Sequence, residues 1–469
     1  MSPDRVSRLV AHLQNKLDAA AILAGDAVSD GYAADATARG VRPLAVFRPR
    51  NTVDVSAILA VANELRQPIV VQGGRTGLSG ASRPLAGEVS LSLERMSGVE
   101  SIDVAAQTMI AGAGTPLQIV QKAAEDAGLF FGVDIGARGT ATVGGNIGTN
   151  AGGIRVLRYG MYRAQVMGLE AVLADGTVLS SLKGLPKDNS GYDLNPLFIG
   201  TEGTIGVVTR ACLKLHPKPK IERNAFLALP SLKAAQELLA RLRVELSGLL
   251  SAFEAIYPNA YEGTVAFMGI RPPVETGAGM YAMIEIQGQS PEEDNERFEA
   301  ALATALEEGV ATDVVLSNSL REFNGLWAIR DGINDYLFSL GEIPSYDISV
   351  PLSRMEEFLD MAAHAIAETD PDAVSFIFGH LGDGNLHYCV QTRHEKKIAD
   401  AVFAGVAAVG GGVSAEHGIG TDKLRYLKYA RSEAEIAVMR RLKAAFDPNY
   451  ILNRARVFEA PASITGRSS

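Results

Sequence analysis

Cysteine is nearly absent from this chain. Its two copies, Cys212 and Cys389, both lie inside apolar segments. That excludes a disulfide framework and a CxxC redox motif, and it predicts a protein of a reducing, cytoplasmic compartment. Long apolar runs are also missing; none approaches the roughly 18 residues that a membrane span needs. The opening Met1-Ser-Pro-Asp-Arg-Val shows no charged stretch leading into an apolar one, so no signal peptide is expected. Positive charge is in deficit, with a formal net charge of -10, which argues against nucleic acid as a main partner. Histidine is scarce at 7, so any grouping of imidazoles carries information. Glycine is plentiful, 48 in 469 residues, which implies close backbone approach in several places. A chain this long, 47% hydrophobic and 21% charged, is globular and should hold two or three domains.

Residues 3–30 read as one or two helices, with apolar positions at Val6, Leu9, Val10, Leu13 and Leu17. From Pro43 short strands alternate with helices: Ala45-Val-Phe-Arg-Pro and Pro68–Gln72 as strands, Val55–Leu65 as a helix begun near Thr52. This region runs to about His216, and Pro217-Lys-Pro-Lys220 is a boundary signal. The second region, about 221–415, offers helices at 231–247, 291–308 and 352–367. Its strands fall at 223–229, 279–287, 345–350, 373–379 and 386–391, implying α+β with a largely antiparallel sheet. A helical segment is expected from Thr421 to about Leu452 and a disordered tail from Pro461 to Ser469.

Two of the histidines sit in His380-Leu-Gly-Asp-Gly-Asn-Leu-His387, between two apolar runs. Asp383-Gly384 is a strong signal for a two-residue hairpin turn. Such a turn would pair His380 with His387 across adjacent strands, with Cβ atoms about 5 Å apart. Glu416, beside His417, adds a carboxylate. Two imidazoles and a carboxylate suit a divalent metal with open coordination positions, Zn²⁺ first and Mn²⁺ second. A polar turn with unrelated core histidines is the plain alternative.

Three glycine-rich loops remain. Gln72-Gly-Gly-Arg-Thr-Gly-Leu-Ser-Gly80 follows a strand and can present several N–H donors to a diphosphate. Gly139–Gly153 is crowded with Gly, Thr and Asn, and it is not the spaced G-x-G-x-x-G of a Rossmann helix. Phe198–Gly206 is the third. Together they fit an extended polar cofactor lying along backbone.

With Gly144-Gly-Asn-Ile-Gly-Thr-Asn-Ala-Gly-Gly, Arg158-Tyr-Gly, Gly168-Leu-Glu-Ala-Val-Leu-Ala-Asp-Gly, Lys187-Asp-Asn-Ser-Gly-Tyr-Asp-Leu and Glu416-His-Gly-Ile-Gly, the chain resembles the FAD-linked D-2-hydroxyacid dehydrogenases of the vanillyl-alcohol-oxidase superfamily. The likeness runs from about Pro43 to about Val457. It implies an α+β fold: a PCMH-type FAD domain at 43–218 after an N-terminal helical segment 1–42. A ferredoxin-like antiparallel cap at 219–420 would cover the flavin face and bind substrate and metal. A helical return segment at 421–458 and a flexible tail at 459–469 would complete the chain.

By the same resemblance, FAD would be held by three groups of residues, and it is expected to be non-covalent because neither the 72–80 loop nor the 139–153 loop offers a His or Cys for attachment. The first is Gln72, Gly73, Gly74, Arg75, Thr76, Gly77 and Leu78. The second is Asp134, Ile135, Gly136, Thr140, Gly144, Gly145, Asn146, Gly148, Thr149, Asn150 and Gly153. The third is Glu202, Gly203, Ile205, Val207 and Asn453. The diphosphate would lie on Gly73–Gly77, the flavin along Gly144–Asn150 and the adenine near Gly203–Val207.

The implied reaction oxidises a D-2-hydroxyacid to the 2-oxoacid, with His417 as base and Arg330 on the substrate carboxylate. The metal would sit on His380, His387 and Glu416, with Asn385 beside it. A surface ion pair of Arg330 with Asp331 or Asp335 is the alternative role for that arginine. Ser345 and Asn334 stand where the 2-hydroxyglutarate enzymes have Lys and Thr for a distal carboxylate, which tilts the substrate toward a shorter acid unless Arg330 or Arg75 compensates. Electrons would pass to an electron-transfer flavoprotein, a quinone or a cytochrome, since NAD lacks its fingerprint. A homodimer is compatible with the sequence. A metal-dependent hydrolase is the competing class, and it leaves the glycine loops without purpose.

Overall fold

A computed structural model describes residues 3–460, and the chain divides into two units. Among the described residues, the first comprises 3–151, 161–218 and 416–460; the second comprises 152–160 and 219–415. The expected tail at 461–469 lies outside the described residues.

The first unit contains a four-stranded sheet and a five-stranded sheet. The four-stranded sheet runs Ile22–Ala24, Ala45–Phe47, Val89–Ser92, Ile69–Gln72. Val89–Ser92 is parallel to both of its neighbours. Helix Thr52–Glu64 begins where Asn51 Oδ1 accepts the Asp54 N–H, and it buries Val55, Ile58, Leu59 and Ala62 against Phe47, Ile69 and Leu91. The five-stranded sheet is antiparallel throughout, in the order Val99–Asp103, Thr108–Gly112, Val207–Lys214, Val166–Val172, Val178–Ser180. The C-terminal segment belongs to this unit. Ile451 and Leu452 join the first core, and Lys443, almost fully buried, donates to Thr204 O and Leu452 O and pairs with Asp447.

The N-terminus holds one α-helix of the one or two expected. Helix Pro3–Leu13 is followed by a short strand and three 3-10 turns rather than a second helix. Asp18 caps the first of these turns by accepting from Ala20 N, and Gly25, at φ 57°, takes a left-handed conformation that an α-helix does not contain. The return segment also starts later than expected: its main helix is Glu433–Phe446, opened by a capping box of Ser432 and Glu435.

The second unit is built on β1 Ile221–Leu229, α1 Leu232–Glu245, β2 Leu250–Ile256, α2 Pro258–Met268, β3 Met280–Gly288, α3 Pro291–Glu307, β4 Asp313–Leu316, α4 Leu320–Ser339, β5 Ser345–Ser349, α5 Met355–Thr369, β6 Val374–His380, β7 Asn385–Gln391 and α6 Glu395–Ala408. The strands form one seven-stranded sheet, β4-β1-β3-β2-β6-β7-β5, with every pairing antiparallel. Helices lie on both faces. α2 and α4 pack on the face carrying Phe226, Tyr281, Met283, Phe376 and Phe378. On the other face, α5 meets Tyr388 through Phe358, and α6 meets Tyr346 through Phe403. The sheet is thus larger than a ferredoxin-like one, with β2, β4, α2, α4 and α6 added to the elements read from sequence.

Residues 152–160 were expected with the FAD domain but cluster with the second unit. Arg155 explains this. Its Nε donates to Glu285 Oε1 at 2.8 Å and its Nη2 to Glu285 Oε2 at 3.2 Å. Glu285 is fully buried and also accepts from Ser251 Oγ and Trp327 Nε1. Arg158 donates to the carbonyls of Leu249 and Gln287. Arg155→Met would leave Glu285 a buried anion without its cation, at a cost of about 3 kcal/mol or more. The chain has a single tryptophan, Trp327, bonded to that same carboxylate. Urea unfolding followed by tryptophan fluorescence should therefore show the loss directly as a lowered midpoint.

Candidate active site

The three glycine-rich loops meet inside the first unit. A Cβ on Gly73 would lie 2.4 Å from Thr142 Oγ1, and one on Gly74 would lie 1.9 Å from Thr140 O. The loop after Ile69–Gln72 therefore presses directly on the start of helix Val143–Thr149, and only glycine permits it. The end of that helix meets the third loop: Gly200 N donates to Ile147 O, and Glu202 N donates to Gly148 O. Asn453 closes the ring, accepting from Val71 N at 2.7 Å and donating to Glu202 O.

This arrangement fits a long polar cofactor. Asn146 Nδ2 is buried and has no hydrogen-bond partner. A Cβ on Gly77 or Gly136 would meet nothing within 4 Å. Gln72 is fully buried and spends its amide on the carbonyls of Tyr32 and Ser82; it braces the loop from behind. Arg75 has a left-handed backbone, φ 57°. Its guanidinium lies 4.9 Å from the Tyr32 ring centre and 3.7 Å from Glu94. Burial opposes ionisation of Glu94, but Tyr32, Arg75 and Arg48 together lower its pKa, so Arg75 is held by an anion of its own unit. Gly153 lies in the segment that clusters with the second unit.

In the second unit, one face of the sheet carries four polar groups in a row across four strands. Glu254 on β2 is directly opposite His380 on β6. His387 on β7 is directly opposite Asp347 on β5. The hairpin register differs from the expected one. Phe378, not His380, pairs with His387, and the turn is a 3-10 piece Leu381–Asp383 closed by Gly384 at φ 79°. Leu381 is fully buried, and burying it lengthens the turn beyond two residues. The slip is by two, so both imidazoles keep the same face, and their ring centres are 5.4 Å apart.

Each imidazole has a carboxylate behind it. His380 Nδ1 donates to Glu254 Oε1, and His387 Nδ1 lies 3.9 Å from Asp347 Oδ1. Burial opposes the ionised form of Glu254, but the charges of His380 and Arg330 override it and hold the carboxyl at about 2. An ionised Glu254 only accepts, so whenever His380 is neutral its proton sits on Nδ1 and the lone pair that a metal would use is on Nε2. Arg330, on α4, donates its Nε to Glu254 Oε2 at 2.7 Å, and its guanidinium lies 4.9 Å from the Phe378 ring centre. It is buried, so the surface pairing with Asp331 or Asp335 is replaced by this contact.

Asn385 donates to Asp347 Oδ1 and Ile348 O, while its own Oδ1 is buried without a hydrogen-bond partner. Ser345 accepts from Cys389 Sγ at 3.3 Å, and Asn334 is exposed on α4. Glu254 and Asp347 were not foreseen as site residues. The signal was present in Leu250-Ser-Ala-Phe-Glu-Ala-Ile256, where a lone acid in an apolar strand must be paired when buried.

Gly412 pairs with Ser349, and Ser414 Oγ donates to Asp347 Oδ2 at 3.4 Å. These contacts fix the chain two residues before Glu416. His380 and His387 each present a ring nitrogen on the same face of the second unit's sheet, while Glu416 and His417 open the stretch that belongs to the first unit. The residues after Glu416 are pinned to the first unit's loops. Ser79 Oγ donates to His417 O, and Glu202 accepts from the amides of Ile419 and Gly420. Burial raises the Glu202 pKa, and those two amides pull against it.

Two family descriptions match the chain: an FAD binding domain over residues 43–181 and the C-terminal domain of FAD linked oxidases over residues 218–457. D-2-hydroxyglutarate dehydrogenase of Xanthomonas citri pv. viticola is 37% identical over 96% of this chain and 98% of its own length. The mitochondrial D-2-hydroxyglutarate dehydrogenase of Bos taurus is 38% identical over 87% of this chain and 75% of its own length. This chain belongs to the FAD-linked D-2-hydroxyacid dehydrogenase family. It is an FAD-linked oxidoreductase acting on CH–OH groups. Among solved structures, 4-ethylphenol oxidase from Gulosibacter chungangensis superposes with a TM-score of 0.78 at 19% identity, covering 99% of each chain. p-Cresol methylhydroxylase does so with a TM-score of 0.76 at 17% identity over 98% of each. These two share the vanillyl-alcohol-oxidase fold with the dehydrogenase.

Gly77→Ala tests the cradle. The added methyl meets no protein atom, so circular dichroism and melting should be unchanged. If FAD backbone passes there, the methyl overpacks the bound state by about 1–3 kcal/mol, a roughly five- to hundredfold weaker retention. The ratio of flavin to protein absorbance after gel filtration measures it, and full flavin content would remove Gly77 from the cradle.

Proposed function

We propose that this dehydrogenase oxidises a D-2-hydroxyacid to its 2-oxoacid and needs a divalent metal on His380, His387 and Glu416 to do so. The imidazole pair on one sheet face, with His380 backed by the Glu254 carboxylate, carries the metal reading: such backing fixes the tautomer and raises ligand basicity. FAD, when bound, supplies the acceptor for the hydride from the substrate's Cα. His380, His387 and Glu416 would hold the metal, which would supply Lewis-acid stabilisation of the reacting hydroxyl.

The chain's own residues do the rest. Arg330 holds the substrate carboxylate through a charge-assisted contact, with Glu254 steadying Nε. His417 takes the hydroxyl proton, since imidazole titrates near working pH. Asn385, with its unmet Oδ1, would accept a hydrogen bond from the substrate.

Relatives named for D-2-hydroxyglutarate make that acid the first to test. The uncharged pair Ser345 and Asn334 favours a shorter D-2-hydroxyacid such as D-lactate, and this second reading rests on those two residues alone. The flavin's electrons leave to a non-NAD acceptor: an electron-transfer flavoprotein, a quinone or a cytochrome. A Saccharomyces cerevisiae relative, 35% identical over 87% of this chain, is named D-2-hydroxyglutarate–pyruvate transhydrogenase, so a second 2-oxoacid belongs in the acceptor panel.

Anaerobic bleaching of the flavin band by D-2-hydroxyglutarate, D-malate and D-lactate, each against its L enantiomer, reads the reaction and its substrate together. Only the D acids should bleach. Metal removal, verified by elemental analysis, should slow bleaching by about a hundredfold or more, because Lewis-acid stabilisation is worth several kcal/mol. Undiminished bleaching by metal-free enzyme would sink the metal role.

A further inference from the structure

The Glu254 side chain bonds to both a proposed metal ligand and the proposed substrate-carboxylate arginine. One carboxylate oxygen takes the Nδ1 proton of His380, and the other takes Nε–H of Arg330 at 2.7 Å. The residue is fully buried on β2, between Phe253 and Ala255 and two positions from Ala252 and Ile256. No other side chain of β2 could stand in for it.

We infer that Glu254 is a positioning residue that sets the tautomer of His380 and the orientation of Arg330 through a single shared carboxylate. The inference rests on the metal and substrate roles proposed above. Two facts of hydrogen-bond chemistry give it content. Arg330 is always a donor and never accepts. His380 can accept at Nδ1 only by moving its proton to Nε2, the atom that a metal needs. A carboxylate satisfies both neighbours because both of its oxygens accept. An amide cannot, since one end accepts and the other donates.

In Glu254→Gln the amide oxygen must therefore turn to the obligate donor, Arg330, and the NH₂ must turn to His380. The imidazole is then driven to the tautomer that blocks its metal-binding atom, while Arg330 keeps its partner. A merely charge-neutralising or space-filling Glu254 makes no such prediction. The same logic gives a rescue. When Arg330 is replaced by Met in the Gln background, no donor claims the amide oxygen. It can rotate to accept from His380 Nδ1–H, which reopens Nε2.

The test is metal affinity of the FAD-loaded protein, measured with Zn²⁺ and with Mn²⁺ by competition against a chromophoric chelator, so it does not depend on turnover. Glu254→Gln should bind about 10–100-fold more weakly than the parent. The double variant Arg330→Met/Glu254→Gln should recover most of that loss although it is catalytically poor. Arg330→Met alone should bind metal within a few-fold of the parent. In steady state, Glu254→Gln should lose kcat with a smaller change in KM, and Arg330→Met should mainly raise KM. Melting curves and flavin content confirm that each variant is folded. If Glu254→Gln is too unstable to purify, Glu254→Asp, whose shorter arm reaches only one neighbour, should show weakened metal binding or a raised KM. Parent protein that binds metal while the Gln or Asp variant matches it in affinity and KM overturns the inference alone. A double variant no better than the single Gln variant also overturns it. Parent protein that takes up neither ion overturns the metal reading beneath it.

Discussion

The constraint that organises this molecule is the cost of a buried carboxylate. Taking an anion out of water costs several kcal/mol unless donors surround it. In this chain the donors come from segments far away in sequence. Glu285 draws in Arg155 and so fastens residues 152–160 to the second unit's sheet. Glu254 draws in His380 and Arg330. Glu202 draws in the amides of Ile419 and Gly420 and so fixes the turn after Glu416. Glu88 and Arg456, both fully buried, tie the end of the described chain to the start of Val89–Ser92. Each functional segment is thus held by an interaction that is expensive to leave half made. Its geometry is over-determined, which suits a site that has to hold side chains in fixed orientations.

The second unit adds a geometric rule to this electrostatic one. Side chains alternate across a strand with period two, so a face keeps its residues as long as register errors are even. The turn at Leu381–Asp383 moves the pairing by two positions from that of a tight hairpin, yet His380, His387, Glu254 and Asp347 still share one face. A shift of one would have sent the imidazoles to the face covered by Phe358 and Phe403. Gly379, at φ 155°, absorbs the irregularity; a Cβ there would meet Asn385 O at 2.4 Å.

What could be read from the amino acids follows the same division. The glycine loops, the paired histidines and Glu416-His417 were legible because short motifs carry their chemistry locally. Strands such as Ile221–Leu229 and Met280–Gly288 were legible because long apolar runs between turn residues leave little choice. Glu254 and Asp347 were not singled out, because an acid's role when buried depends on which strand lies beside it. β2, β4 and α4 escaped for a related reason: Leu250–Ile256 is short with an acid at its centre, and Leu320–Ser339 carries two glycines in a mixed pattern. Tertiary packing, not local propensity, decides such segments. The fold family came from motif resemblance, and the register and the carboxylate partners came only with the structure.

Where the cations are committed bears on what the site can hold. Arg75 and Arg330 were the two arginines that sequence offered for a substrate carboxylate. Arg75 is turned back in a left-handed conformation onto Tyr32 and Glu94 within its own unit. Its charge is already answered by an ionised neighbour, and releasing it would leave Glu94 half-buried without that partner. Arg330 differs: its one hydrogen bond to protein uses Nε, while its two terminal nitrogens remain for a planar, bidentate partner. In the substrate role proposed for Arg330, one open fork would serve one carboxylate. A second carboxylate on the same substrate would have to rely on neutral donors such as Ser345 and Asn334, and neutral hydrogen bonds are roughly half as strong as charge-assisted ones. The preference between a dicarboxylic and a shorter acid therefore turns on whether hydroxyl and amide groups can replace a cation, which is a question about strength of binding and not about the chemistry of oxidation.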